Sequence, residues 1–227
     1  MQVARGAALL FDIDGTLVDT DRLHLEAFNQ IFGPLGYSFD HARFKAELQG
    51  FAMASIMERF LSAHPPARQR EIMEEKEATF RRLAQAGLEP MPGLIALLDE
   101  AAASGLPLVA VTNAPRQNAE LMLGALGIRD RFKTVILGDE LKHGKPHPLP
   151  YLEGLRYLDA RPEFSVAFED SASGVTSASS AGILTVGLRT SLTDSELRSA
   201  GAKATAADYT DPALLALIAN TVAGRSP

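Results

Sequence analysis

A chain of 227 residues with 46% hydrophobic and 22% charged residues has room for an α/β core plus a smaller insert, and the balance of an ordinary globular protein. Its formal net charge of −6, with scattered Lys and Arg, speaks against a nucleic-acid partner, and the lack of cysteine excludes disulfides, thiolate metal sites and a Cys nucleophile. No stretch reaches the roughly 18 apolar residues of a membrane span, and the apolar run before Asp12 is too short for a signal peptide, so no membrane partner and a cytoplasmic location are expected.

The first predicted element is a buried strand over residues 7–11, an apolar run that ends at charged residues. From 20 to about 87 the pattern turns helical. Leu23, Ala27, Ile31 and Leu35 recur at helical spacing, as do Ile56, Phe60 and Ala63, before Pro65-Pro66 ends that helix. Ile72, Phe80 and Leu83 stripe the next one, and no strand is expected in this block. Met91-Pro92-Gly93 then opens a helix carrying Leu94, Leu97, Leu98 and Ala101, which Gly105 stops. A strand over 106–111 follows, then a helix over 116–126, strands over 134–137, 165–168 and 183–187 with helices between them, and a last helix carrying Leu214, Leu215, Leu217 and Ile218. Such alternation indicates an α/β fold with a doubly wound parallel sheet, and the all-helical block an inserted domain. The expected boundaries give 1–18 and 90–227 to the sheet domain and 19–89 to the insert. Ligands of such sheets bind beyond the C-terminal ends of the strands, and every candidate site residue follows a strand.

The first candidate site is Asp12-Ile13-Asp14-Gly15-Thr16. Residues two apart in an extended segment share a side, so Asp12 and Asp14 should face one point, with Gly15 permitting the turn out of the sheet. Two adjacent carboxylates resist joint ionisation unless a cation compensates or one keeps a proton. Bound Mg²⁺ would keep Asp12 ionised as a nucleophile, while Asp14 could carry a proton for the leaving group. In isolation the pair reads as a capped turn. The hydroxyl of Thr112 and the amide of Asn113 can donate to phosphate oxygens, or cap the next helix. Lys145, in Gly144-Lys145-Pro146-His147-Pro148, offers a positive charge to a phosphate or to the nucleophile; alone it would be a surface lysine. Glu169-Asp170-Ser171, with Gly174 shortly after, offers oxygen ligands to a hard cation, or a helix cap. Together the four sites supply the parts of a phosphoryl-transfer centre.

The runs FDIDGTLVD (11–19), VTN (111–113), GKP (144–146) and FEDSASG (168–174) resemble the motifs of the haloacid dehalogenase superfamily of phosphohydrolases, over nearly the whole chain. The resemblance implies a Rossmann-like core with a helical cap inserted after the first strand. It implies Asp12 as nucleophile, Asp14 as general acid and later base, and Thr112 and Lys145 as phosphoryl-binding groups. Mg²⁺ would be held by Asp12, Asp170 and the main-chain carbonyl of Asp14, with Glu169 a secondary or water-mediated ligand and Thr16 organising the loop. True dehalogenases of the superfamily lack the second aspartate and need no Mg²⁺, so Asp14 argues against dehalogenation.

Among the phosphate-handling branches the chain is similar to the β-phosphoglucomutase group and its sugar-phosphate phosphatases. Asp19-Thr20, His24 and Ala27-Phe28 resemble the first cap helix of that group, and Lys76 resembles its cap lysine. Asn113, His24, Lys76 and the segment beginning at Gly50 are the implied substrate contacts. Read without the resemblance, His24 suits a packed position at the cap hinge, and Lys76 a stem laid over Ile72, Phe80 and Leu83. Mutases of the group carry an arginine after Gly50 where this chain has Met53, which favours hydrolysis; Leu149 stands where the group usually has Asp. The expected protein is a monomeric Mg²⁺-dependent phosphatase of a small phosphorylated metabolite, a sugar phosphate, working through an aspartyl phosphate on Asp12. A sugar phosphomutase and a catalytically silent binding module are the alternatives.

Overall fold

The computed structural model describes residues 2–49, 51 and 53–225. In chain order, β1 (Ala8–Phe11) is followed by α1 (Asp21–Phe32), α2 (His41–Glu47), α3 (Met53–Leu61) and α4 (Pro66–Ala84). Helices and strands then alternate: α5 (Leu94–Ala103), β2 (Leu108–Thr112), α6 (Arg116–Ala125), β3 (Val135–Leu137), α7 (Leu149–Tyr157), β4 (Ser165–Glu169), α8 (Ala172–Ser180), β5 (Leu184–Leu188), α9 (Asp194–Ala200), β6 (Ala204–Ala206) and α10 (Pro212–Val222). The chain divides into two compact units, Met1–Asp19 with Glu89–Pro227, and Thr20–Leu88.

The first unit is a six-stranded parallel sheet in the order β3-β2-β1-β4-β5-β6. Its central strands, ALLF, LVAVT and SVAFE, are buried along their whole length. Helices on both faces of a parallel sheet demand such continuous apolar runs rather than alternation. On one side Leu10, Val109, Val111 and Ala167 pack with Tyr151 and Leu155 of α7 and Ala178 of α8. Gly154 lets α7 lie close: a Cβ there would sit 3.1 Å from Leu10 Cδ2 and 3.3 Å from Val109 Cγ1. Elsewhere Phe11 stacks on Phe168 at 4.6 Å between ring centroids, and Tyr209 packs edge-on against Phe168.

β6 is an addition to the strands expected from the sequence. Ala204-Thr205-Ala206 is three residues long and only partly buried, so it lacks the apolar run that marks a buried strand; pairing with β5 makes it one. Strand ends also differ, β5 running on to Leu188. Thr112 and Glu169 are the last residues of β2 and β4 rather than the first beyond them. β1, in contrast, stops at Phe11, and the chain turns at once, with Thr16 and Leu17 amides donating to the Ile13 carbonyl. Asp12 and Asp14 therefore lie beyond the last residue of β1, with Asp14 in an isolated bridge to Val18.

Among the described residues the elements of the second unit are all helices. Its core is aromatic: Phe28, Phe32, Phe39, Phe44 and Phe60 cluster with Ile56, Leu61, Ile72 and Met73. The buried face of α1 runs through Ala27, Phe28 and Phe32, with Leu23 and Ile31 only half-buried. Leu35, expected in the same stripe, lies in a 3-10 turn (Gly33–Leu35), because Gly33-Pro34 cannot continue the α-helix. Pro66 opens α4 at its first position, where a missing N–H costs nothing. No helix among the described residues is long and apolar enough to cross a membrane.

Candidate active site

The sheet reverses its order at β1: β2 and β3 lie to one side, β4, β5 and β6 to the other. A crevice opens beyond the strand ends at such a reversal, because the connections on either side leave in opposite directions. β1 and β4 flank that point, with Phe11 opposite Phe168 and the Asp12 amide donating to the Phe168 carbonyl at 3.0 Å. The register therefore brings Asp12 beside Glu169 and Asp170. One carboxylate oxygen from each of these three lies within 4.8 Å of the others, and all three residues are buried.

Lys145 reaches this cluster from the loop between β3 and α7. Its Nζ donates to Asp12 Oδ1 at 2.7 Å, to Glu169 Oε1 at 2.5 Å and to the Val111 carbonyl at 2.7 Å. An ammonium has three protons, and here each has an acceptor. The loop is fixed by Asn113, whose Oδ1 accepts from the Lys145 amide at 3.1 Å and whose Nδ2 donates to the Lys145 carbonyl at 3.2 Å. Gly138 makes room for that side chain: a Cβ there would lie 2.1 Å from Asn113 Oδ1. The Lys145–Pro146 peptide is cis. Thr112, at the end of β2, is buried, and its Oγ1 accepts from the Ala114 amide at 2.9 Å.

Gly15 has φ +70°, and a Cβ at this position would meet Asp170 Oδ2 at 2.1 Å. Only glycine permits both the turn and this approach. Thr190 Oγ1 donates to the Gly15 carbonyl at 2.6 Å, Tyr209 to the Thr16 carbonyl at 3.1 Å, and Ser191 Oγ to Asp170 Oδ2 at 2.5 Å. Thr16 Oγ1 is buried without a hydrogen-bond partner. Ser171 caps α8, accepting from the Gly174 amide at 3.1 Å. Tyr151 donates to Glu169 Oε1 at 2.7 Å.

The electrostatics are unbalanced. Burial pushes the Asp12 carboxyl up from its ordinary 3.8 to about 7; Lys145 opposes this, and the charges of Glu169 and Asp14 add to it. Burial pulls the Lys145 ammonium down, but Asp12 and Glu169 more than offset it and hold it above its usual value. Burial and the Glu169 charge keep the Tyr151 phenol well above its normal range, so it is a neutral donor. Four acidic side chains (Asp12, Asp14, Glu169 and Asp170) thus act on a site with one lysine. That excess of negative charge, carried by oxygen donors only, suits a hard divalent cation such as Mg²⁺.

Of the residues singled out from the sequence, the fold brings Asp12, Lys145 and Asp170 together, with Thr112 and Asn113 on the adjoining strand end. Asp14 contributes its charge to Asp12 but its carboxylate is not part of the three-residue cluster. His24 and Lys76 meet each other within the helical unit: Lys76 Nζ lies 2.9 Å from His24 Nδ1 and 2.9 Å from Glu77 Oε1, and 4.5 Å above the Phe28 ring. The His24 ring stacks on Phe80 at 3.9 Å. Gly50 lies outside the described residues. Tyr151, Thr190, Ser191 and Tyr209 have no motif to announce them. The available signal was Glu169 itself, since an acid ending a buried strand needs a buried donor.

A parallel sheet carrying an acidic cluster and a lysine at its reversal point defines a phosphoryl-transfer class of α/β enzyme. Residues 9–188 match the family described as haloacid dehalogenase-like hydrolase, and the chain belongs to that family. Its branch is that of β-phosphoglucomutase and the sugar-phosphate phosphatases. The chain is 34% identical to Protein CbbY of Rhodobacter capsulatus, covering 92% of this chain and 94% of that protein. It is also 34% identical to the phosphorylated carbohydrates phosphatase of Thermotoga maritima, over 78% of this chain and 82% of that one. Among solved structures, CbbY of Rhodobacter sphaeroides in complex with xylulose-(1,5)bisphosphate superposes with a TM-score of 0.78 at 30% identity, covering 91% of this chain and 95% of the other.

Proposed function

We propose that the protein hydrolyses the phosphate monoester of a small sugar, using Asp12 as the nucleophile. One observation carries this reading: the Asp12 carboxylate, buried at the sheet reversal, has Lys145 Nζ at 2.7 Å and the Glu169 and Asp170 carboxylates beside it. In the first half-reaction an Asp12 oxygen forms a bond to phosphorus as the ester P–O bond breaks, and Asp14 gives its proton to the departing sugar oxygen. In the second, Asp14 takes a proton from water, whose oxygen attacks phosphorus; the Asp12–phosphorus bond breaks and inorganic phosphate leaves. Lys145 and Thr112 hold the phosphoryl oxygens, Lys145 by charge and Thr112 through its hydroxyl. Mg²⁺ would be held by the Asp12 and Asp170 carboxylates and the main-chain carbonyl of Asp14; when bound it supplies positive charge against the phosphoryl oxygens. The helical unit is read as a cap that selects the substrate.

The sugar-phosphate assignment draws on the relatives: a phosphatase of phosphorylated carbohydrates, and a CbbY bound to a sugar bisphosphate. Met53, in place of a basic residue, favours hydrolysis over transfer back to a bound sugar phosphate. The test is phosphate release from a panel of sugar mono- and bisphosphates, phosphoglycolate and nucleotides, with Mg²⁺ and with chelator. Release that needs Mg²⁺ and disappears in Asp12→Asn supports the reading. Conversion of a sugar 1-phosphate to an isomer without free phosphate would replace it with the mutase, and inertness toward every compound would replace it with the binding module.

A further inference from the structure

Glu169 is fully buried, yet the reaction just described gives it no step. It lies close enough to Asp12 and Asp170 to share a cation with them, and it also pairs with Lys145. What holds it decides which of these it does. Two strong donors converge on the same oxygen, Oε1: Lys145 Nζ at 2.5 Å and the Tyr151 hydroxyl at 2.7 Å. Oε2 has the longer contact to Ser171 Oγ at 3.3 Å. The carboxylate rests on Gly174, where a Cβ would fall 1.9 Å from Oε2 and 2.1 Å from Oε1. Tyr151 belongs to α7, the helix that follows the lysine loop, and Lys145 Nζ lies 5.4 Å from its ring centroid.

We propose that Tyr151 is a positioning residue of the active site, whose hydroxyl keeps Glu169 turned toward Lys145 as that lysine's counter-charge and away from direct coordination of the metal. This rests on the reading of the site as a Mg²⁺ centre. The physical argument is one of satisfaction. A buried carboxylate needs several donors, and with Lys145 and Tyr151 on Oε1 it has them. Without the phenol the carboxylate is one donor short in a place closed to water, and a nearby cation becomes its best remaining partner. Lys145, sharing Oε1 with Tyr151, would then lose the fixed partner that holds it against Asp12.

The experiment is calorimetric titration of Mg²⁺ into the full chain, together with steady-state kinetics on the best substrate of the panel. Tyr151→Phe keeps the ring and loses the hydroxyl. It should bind Mg²⁺ about fivefold more tightly and keep KM within about twofold, while kcat falls about tenfold, the loss that outer partners of metal sites typically cause. Glu169→Gln should weaken Mg²⁺ binding by no more than about tenfold, the low end for an outer partner, since Glu169 is not a direct ligand. The double variant should match Glu169→Gln alone, because Tyr151 acts through Glu169. Mg²⁺ affinity in Tyr151→Phe that is unchanged or weaker overturns the proposal, as does additivity in the double variant. A larger loss of affinity in Glu169→Gln overturns it independently, even where Tyr151→Phe does not fold. If the unsubstituted protein binds no Mg²⁺, both this proposal and the reading of the site fall.

Discussion

At Asp12 two influences oppose each other: burial favours the neutral carboxyl, and the lysine 2.7 Å away favours the carboxylate. Burial outweighs the lysine, and the carboxyl is pushed up to about 7. Lys145 is nonetheless the cation paired with the Asp12 carboxylate. Lys145→Met is expected to lower kcat by about a hundredfold or more, the size of effect seen when a charge-stabilising donor is removed. Steady-state kinetics at saturating Mg²⁺ would show it, and a loss below tenfold would assign Lys145 to structure alone. Gly15 gives a second residue-scale prediction. Its φ of +70° and the 2.1 Å approach to Asp170 Oδ2 leave no place for a methyl group. Gly15→Ala should weaken Mg²⁺ binding about tenfold by displacing Asp170, measured by titration of metal into chelator-treated protein. Wild-type affinity would mean that the Asp170 carboxylate can rotate aside.

At the scale of elements, the site is built where four connections leave the sheet, and each needs a device to stay in place. The lysine loop has Asn113, which accepts from and donates to the backbone of Lys145. The sequence suggested Asn113 as a substrate contact, and its side chain can be tested for the two roles. Asn113→Ala should lower kcat about tenfold with little change in KM if it positions Lys145; a rise in KM with kcat unchanged would make it a substrate contact. In the helical unit the fully buried Phe32 touches Phe28, Phe39 and Phe60 with ring centroids 5.4 to 6.2 Å apart. Phe32→Ala should cost about 3–5 kcal/mol in denaturant unfolding. A cost near 1 kcal/mol would show that this aromatic core collapses around the gap.

For the molecule as a whole, the charge imbalance links stability to pH and metal. The Asp12 carboxyl binds its proton more tightly folded, at about 7, than at its ordinary 3.8. Between those values the folded state carries a proton that the unfolded chain has lost. Metal-free protein should therefore lose stability as pH rises from about 4 to about 7, by roughly 1 kcal/mol per unit, and level off above. Mg²⁺ competes with that proton, so the rise in Tm it produces should grow from pH 5 to pH 8. Thermal melts with chelator and with Mg²⁺ at both values would decide. An equal metal-induced shift at both would mean that Asp12 is ionised throughout.

Much of the site was legible because its residues lie next to strand ends in the chain, where local signals are strong. Asp12, Thr112 and Asp170 each follow or end an apolar run, Lys145 stands in the loop after β3, and the continuous runs of β1, β2 and β4 announce a parallel sheet without any knowledge of the fold. The sequence alone thus determined the chemical parts, their order, and the helical block that interrupts them. It could not give β6, whose small residues become a strand only by pairing, nor the part of α1's buried face, Phe28 and Phe32, that packs into the aromatic cluster of the helical unit. Only the tertiary structure decided that β4 lies beside β1, since strand order depends on contacts between segments more than 150 residues apart. From that one adjacency follow the meeting of Asp12 with Glu169 and Asp170, the capture of Lys145 between two carboxylates, and the contact of Tyr151 with Glu169. None of these leaves a local trace, because the groups that satisfy a buried charge are chosen by proximity in space and not by spacing along the chain.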